Sequence, residues 1–191
     1  MAKILIPIET SSGERRVSAT PEVVKKLTSL GCEVFIESSA GKLSGFSDLS
    51  YKECGGHIVG DSNLDIWGKA DIVFCVQTPS EDNLIKLKKG AILLGLLDPY
   101  GNKDLLKIIN NNKISALSLE LLPRISRAQS SDVLSSQANI AGYKSVLLAA
   151  SELDRYFPML MTAAGTVQPA KVVVLGGGVA GLQAVATAKR L

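Results

Sequence analysis

Short runs of β-branched and apolar residues alternate along this chain with amphipathic stretches of about ten residues, the pattern of a parallel α/β sheet covered on both faces. KILIPIE (3–9) predicts a first strand. Thr20-Pro21-Glu22 predicts a helix start, with threonine as N-cap, proline at the first helical position and glutamate beside the positive end of the dipole. Gly31 suits the C-terminal cap of that helix, and CEVFIE (32–37) predicts a second strand. A weak helix is expected near Leu49–Cys54, a short strand around His57–Val59 and a strong buried strand over ADIVFCVQ (70–77). Ser80 stands where it would cap the helix EDNLIKLKK, closed by Gly90. AILLGLL (91–97) predicts a fifth strand, Asn102 opens the helix NKDLLKIINNN, and ISALSLELL (114–122) predicts a sixth strand.

The pattern then changes. Pro123 to Ser131 is a polar, Arg-bearing loop, and Asp132 to Phe157 predicts one long helix ended by Pro158. Its apolar positions include Val133, Ile140, Tyr143, Leu147, Ala150, Leu153 and Phe157, mostly three or four apart as one helical face requires. MLMTAAGTVQPA is expected as a loop, after which Lys171 starts a second α/β unit: a strand KVVVL, glycines, and a helix from Val179. The implied organisation is a first α/β domain over 1–131, a crossover helix over 132–161, and the first βα unit of a further domain over 162–191. A lone βα half-unit cannot close a sheet, so the chain is expected to be truncated relative to the fold it begins.

Composition narrows the chemistry. In 191 residues, Lys and Arg (21) barely exceed Asp and Glu (18), and the net charge of +3 leaves no footprint for nucleic acid. The three cysteines, Cys32, Cys54 and Cys75, have neither metal nor redox-pair spacing, which suits a reducing cytosol, and one histidine cannot build a Cys/His zinc site. The opening MAKILIPIE has too short an apolar run for a signal segment. The longest uncharged stretch, Val172 to Ala188, contains a glycine triplet and Gln183, so a buried strand turning into a helix accounts for it better than a bilayer span. The reading is a soluble chain without direct membrane insertion.

Two constellations carry chemistry. VVVLGGGVAG (172–181) holds Gly176-x-Gly178-x-x-Gly181 directly after a β-branched run. The first glycine permits a tight turn, the second lets backbone approach a pyrophosphate, and the third lets helix pack on strand, with helix N-terminal N–H groups facing the phosphates. The bland alternative is a glycine-rich buried turn. The acidic residue that reads the ribose hydroxyls about 20 positions later would lie past Leu191, so the motif does not separate NAD from NADP. In RISRAQSSDVLSSQANIAGYKSV (124–146), Gln129, Asp132 and Ser135 recur every third position and share one edge if a helix starts near Gln129. Such an edge is often only a cap. An amide, a carboxylate, a hydroxyl and the Arg124 guanidinium could equally pair with both ends of a nicotinamide carboxamide, adding no proton-transfer group.

On GERRVSATPE (13–22), RISRAQSSDVLSSQANIAGYK (124–144) and TAAGTVQPAKVVVLGGGVAGLQA (162–184), the chain resembles the NAD(H)-binding domain I of proton-translocating NAD(P) transhydrogenase alpha subunits over its whole length. The resemblance implies a two-domain α/β protein with NAD(H) in the interdomain cleft. Hydride exchange would run with NADP(H) on a separate domain III of the beta subunit, coupled through a membrane domain to proton movement. It further implies a homodimer, cytoplasmic and peripheral on the inner membrane through its partner subunits. By position in the motif, Arg124, Gln129, Asp132 and Ser135 would be the nicotinamide-side, catalytic residues. Ile125, Ser126, Ser130 and Ser131 would join them in binding the cofactor, and Gly176, Gly177, Gly178 and Val179, with Gly181, would form the pyrophosphate loop. Ser131 stands where the family usually carries methionine, a difference expected to concern packing.

Alanine dehydrogenase is the relative to separate. It resembles the chain in fold and at Arg15, Arg16 and Val17, but it needs a lysine before a proline and a histidine after the next strand. Here Cys75 and Gln77 fall at the lysine positions and Asp98 at the histidine position. Oxidising an amine requires a base for its proton; transfer between two nicotinamides requires only close, oriented rings and exclusion of water. The residues therefore favour the transhydrogenase reading. The alternatives are an amino-acid oxidoreductase and a catalytically inactive fragment that acts only by association. Arg15 and Arg16 are as consistent with a solvated loop as with a cleft. His57 and Trp67 are read as structural, and Asn110 to Asn112 with Lys113 as a helix end.

Overall fold

Alternation along the first strands fixes the sheet. In β1 (Lys3–Ile6), Leu5 points to one face while Ile4 and Ile6 point to the other, and all three are buried. β1 therefore lies in the interior of a parallel sheet formed with β2 (Glu33–Glu37), β3 (His57–Val59), β4 (Ile72–Phe74), β5 (Ile92–Gly95) and β6 (Ser115–Ser118). The order is β3-β2-β1-β4-β5-β6, with Ile4 opposite both Val34 and Ile72. The computed structural model describes residues 1–60 and 65–191, and these divide into two compact units, Met1–Leu122 and Pro123–Leu191.

In the first unit, α1 (Pro21–Ser29) and α2 (Asp48–Glu53) cover one face, where Val24 and Tyr51 close over Ile4, Ile6, Val34 and Ile36. α3 (Ile66–Lys69), α4 (Glu81–Lys86) and α5 (Lys103–Asn111) cover the other, where Trp67, Leu84 and Leu105 join Leu5, Val73 and Leu93. Each such large side chain taken fully from water contributes about 1.5–3 kcal/mol, which is why the sheet centre tolerates no polar residue. The local signals act as expected. Thr20 accepts the Val23 N–H, Asn102 accepts the Leu105 N–H, and Gly31 takes a positive φ of 83°. Asn112 forms the C-cap of α5, and Lys113 follows at a φ of 53°.

Several expectations need correction. α3 has no counterpart in the sequence pattern, because four residues carry too little periodicity. The ladder of β4 covers three residues rather than eight, although Cys75 N–H still donates to the Leu94 carbonyl. β6 stops at Ser118, where Leu119–Leu121 winds into a 3-10 turn. α4 ends at Lys86, and Ser80 stands at its N-cap without a side-chain hydrogen bond.

The second unit is built on α6 (Val133–Glu152) and α7 (Val179–Arg190). α6 ends at Glu152, five residues before the expected Phe157, with Leu153 already extended at the C-cap. Its packed face is also not the one read from apolar periodicity. Gly142 and Val146 are buried, while Ile140 and Tyr143 are 58% and 48% exposed. Residues 159–170, expected as a loop, contain an antiparallel hairpin of β7 (Leu160–Thr162) and β8 (Gly165–Val167). The expected strand KVVVL joins no ladder among the described residues, and Val173 and Leu175 are exposed. A strand is completed by a neighbour's hydrogen bonds, and no segment of this unit supplies them. Among the described residues, no helix is long and apolar enough to cross a membrane.

Candidate functional site

A change of direction in the sequence, from a 3-10 turn over Ser126–Ser131 into α6, builds one half of the site. Asp132 sits at the N-cap of α6. Its Oδ1 accepts the Ser135 backbone N–H at 2.9 Å and its Oδ2 accepts the Ser135 hydroxyl at 2.6 Å. These bonds from Ser135, with a smaller pull from Arg124, hold the Asp132 carboxyl below the usual carboxylate range. The carboxylate thus caps a helix and stays ionised. The α-helix begins at Val133 rather than near Gln129, which lies in the preceding 3-10 turn and whose backbone carbonyl accepts the Asp132 N–H at 3.3 Å. Arg124, Ile125, Ser126, Gln129, Ser130 and Ser131 are all exposed, and the half-buried Asp132 and Ser135 flank the start of the helix.

The other half is the glycine turn before α7. Gly176 has a φ of 110°, a region L side chains rarely adopt, and Gly178 is the N-cap of α7 with no side chain to cap it. A Cβ on Gly181 would overlap the Gly176 carbonyl oxygen, so the third glycine is what allows the helix to sit against the turn. A Cβ on Gly176, Gly177 or Gly178 would meet nothing within 4 Å. Open space, left-handed backbone and helix amides without a side-chain acceptor fit a diphosphate. α6 brings its buried Gly142 against Ala180 in the first turn of α7, and Asn139 Nδ2 donates to Gln183 Oε1 at 3.2 Å. A hollow of about 520 Å³ in this unit lies instead around Phe157, Pro169, Val185, Lys189 and Arg190, at the far end of α7.

In the first unit, composition gave no hint of a carboxylate cluster at the carboxyl end of β1 and β4, where the strand order reverses. Glu9 accepts the N–H groups of Val76 (2.5 Å) and Gln77 (3.0 Å). Glu14 accepts Arg16 Nη2 at 2.6 Å, Arg16 Nε at 2.8 Å and Gln77 Nε2 at 3.1 Å. Arg16 holds the Glu14 carboxyl down at about 2, while burial pushes Glu9 up. Crevices at such reversals usually take ligands; here the chain's own carboxylates occupy the amides. At the next strand, Glu120 accepts the N–H groups of Leu97 and Asp98, and Asp98 adopts a φ of 45°. Burial pushes the Cys75 thiol upward, consistent with an inert core residue. Trp67 is buried with its N–H on Glu37, and His57 is exposed on edge strand β3 beside Phe35.

Comparison with known proteins places the whole chain. Residues 5–141 match the N-terminal domain, and residues 145–191 the C-terminal domain, of the alanine dehydrogenase/PNT family. The chain is 48% identical over 194 residues to the NAD(P) transhydrogenase alpha subunit (its first polypeptide) of Rhodospirillum rubrum, covering 99% of this chain and 50% of that protein. Alanine dehydrogenase of Mycolicibacterium smegmatis is more distant, at 31% over 182 residues, covering 94% of this chain and 48% of that protein. Among solved structures, transhydrogenase from Sinorhizobium meliloti superposes with a TM-score of 0.93 at 44% identity, over 98% of this chain and 56% of that one. An L-alanine dehydrogenase gives 0.84 at 30%, over 98% and 52%. The chain spans about half the length of the Rhodospirillum and Mycolicibacterium relatives.

Proposed function

The chain belongs to the alanine dehydrogenase/PNT family, and from that premise we propose that it supplies the NAD(H)-binding part of a proton-translocating NAD(P) transhydrogenase. The observation that carries this reading is the uncapped glycine turn of α7, docked on the helix whose N-cap is the Asp132–Ser135 pair. The turn at Gly176, Gly177, Gly178 and Val179 binds the diphosphate through backbone N–H groups, with Gly181 holding the helix close. Arg124, Gln129, Asp132 and Ser135 orient the carboxamide and so fix which face of the ring is presented. Ile125, Ser126, Ser130 and Ser131 wall the ring. The bound nicotinamide supplies the hydride chemistry. None of these side chains has to move a proton. NADP(H) is held on a separate domain or subunit, and the membrane domain and a second copy complete the assembly at the cytoplasmic face of the inner membrane.

An amino-acid oxidoreductase is less well supported. Gln77, at the lysine position, gives its amide to Glu14, and Asp98, at the histidine position, is held in a left-handed turn by Glu120. The one histidine lies on an edge strand. Measuring NADH affinity and hydride transfer for Gln129→Ala and Asp132→Ala variants within the complete assembly that also holds NADP(H) tests the assignment: both should weaken, and unchanged values reject it.

A further inference from the structure

Glycine in a helix interior is destabilising relative to alanine, so a buried glycine midway along α6 calls for a physical reason. Gly142 has one in its neighbour. A Cβ at that position would overlap the Ala180 carbonyl oxygen, closer than real Cβ atoms tolerate, and lie 3.0 Å from the Ala180 Cα, tighter than most real Cβ contacts. Ala180 is the second residue of α7, two positions after the Gly178 N-cap. The contact is therefore backbone against backbone, at the turn that carries the glycine motif. One helical turn earlier, Asn139 donates to Gln183, and Gln183 Nε2 donates in turn to Thr187 Oγ1 at 3.2 Å. This polar run fixes the rotation of α7 where Gly142 fixes its distance.

The proposed nicotinamide-side pair stands at the start of α6, and the proposed diphosphate turn stands at the start of α7. Where α7 docks along α6 sets the separation of the two. Resting on the dinucleotide reading above, we infer that Gly142 is a positioning residue, holding the glycine turn at the distance from Asp132 and Ser135 that lets one dinucleotide engage both. A side chain at this position pushes the first turn of α7 off α6 while leaving each half of the site locally intact.

The test separates positioning from plain stability. NADH, ADP-ribose and reduced nicotinamide mononucleotide are titrated into the chain and into its Gly142→Ala and Gly142→Val variants, with thermal unfolding run alongside. A single molecule that spans two subsites gains from their correct spacing, so the valine variant should lose about tenfold or more in NADH affinity while each half-ligand keeps its affinity within about twofold. Alanine should give the same selective loss, smaller in size. Unchanged NADH affinity in both variants overturns the inference, and so does a parallel loss for all three ligands. If valine prevents folding, the alanine variant decides by the same ratio. Failure of the wild-type chain to bind NADH overturns the functional reading itself and this inference with it; binding without the selective loss overturns only the inference.

Discussion

Asp132 grips Ser135 at two points, by its backbone N–H and by its hydroxyl, so one carboxylate closes the first turn of α6 and remains a charged acceptor. The two duties separate by substitution. Asparagine keeps an acceptor for the cap and should leave the urea-unfolding midpoint close to wild type, whereas alanine should lower it. Both should weaken NADH binding, because both remove the charge. Restored affinity in the asparagine variant would reduce Asp132 to a cap. Its folded pKa is lowered, so its stabilisation is complete above the ordinary carboxyl pKa and is lost as pH falls through the lowered value.

Glu14 offers a sharper acid response. Its side chain is 8% exposed and bound by both Nε and Nη2 of the Arg16 guanidinium fork. Glu14→Gln should cost about 2 kcal/mol at neutral pH, as the loss of charge-assisted hydrogen bonds does elsewhere. With a folded pKa of about 2 against 4.5 unfolded, the native contribution is full above 4.5 and drains as pH falls toward 2. Glu9 is raised, so its ionisation opposes folding as pH rises through 4.5 and partly offsets Glu14. Unfolding curves across that range should be flatter in Glu14→Gln than in the wild type.

The three glycines of the turn should respond differently to alanine. Gly176→Ala meets a positive φ and should destabilise by about 1–3 kcal/mol. Gly181→Ala collides with the Gly176 carbonyl and should cost a similar about 1–3 kcal/mol by overpacking. Gly177→Ala meets open space, so thermal unfolding should hardly shift while NADH affinity falls. An unaffected affinity there would place the diphosphate elsewhere.

What could be read from the sequence was what is locally encoded. Thr20-Pro21-Glu22 and Asn102 announce helix starts because the cap sits within three residues of the amide it satisfies. The Gly176-x-Gly178-x-x-Gly181 spacing was legible for the same reason, being one turn and one helix start. The packed face of α6 was not. Apolar periodicity points to Ile140 and Tyr143, but two helices that approach through glycine and alanine bury small residues, and hydrophobicity is blind to that contact. The hairpin at 160–167 escaped because its turn, Ala163–Ala164, lacks the glycine or asparagine that usually marks one. The Glu9–Glu14–Arg16–Gln77 cluster joins residues more than sixty positions apart, a relation only the strand order creates.

A crystal structure of the chain with NADH tests the central claim most directly. The account predicts the diphosphate on the N–H groups of Gly176 to Val179 and the carboxamide within hydrogen-bonding reach of Asp132 or Ser135. NADH seated on the Met1–Leu122 sheet, or a diphosphate away from the glycine turn, would contradict it.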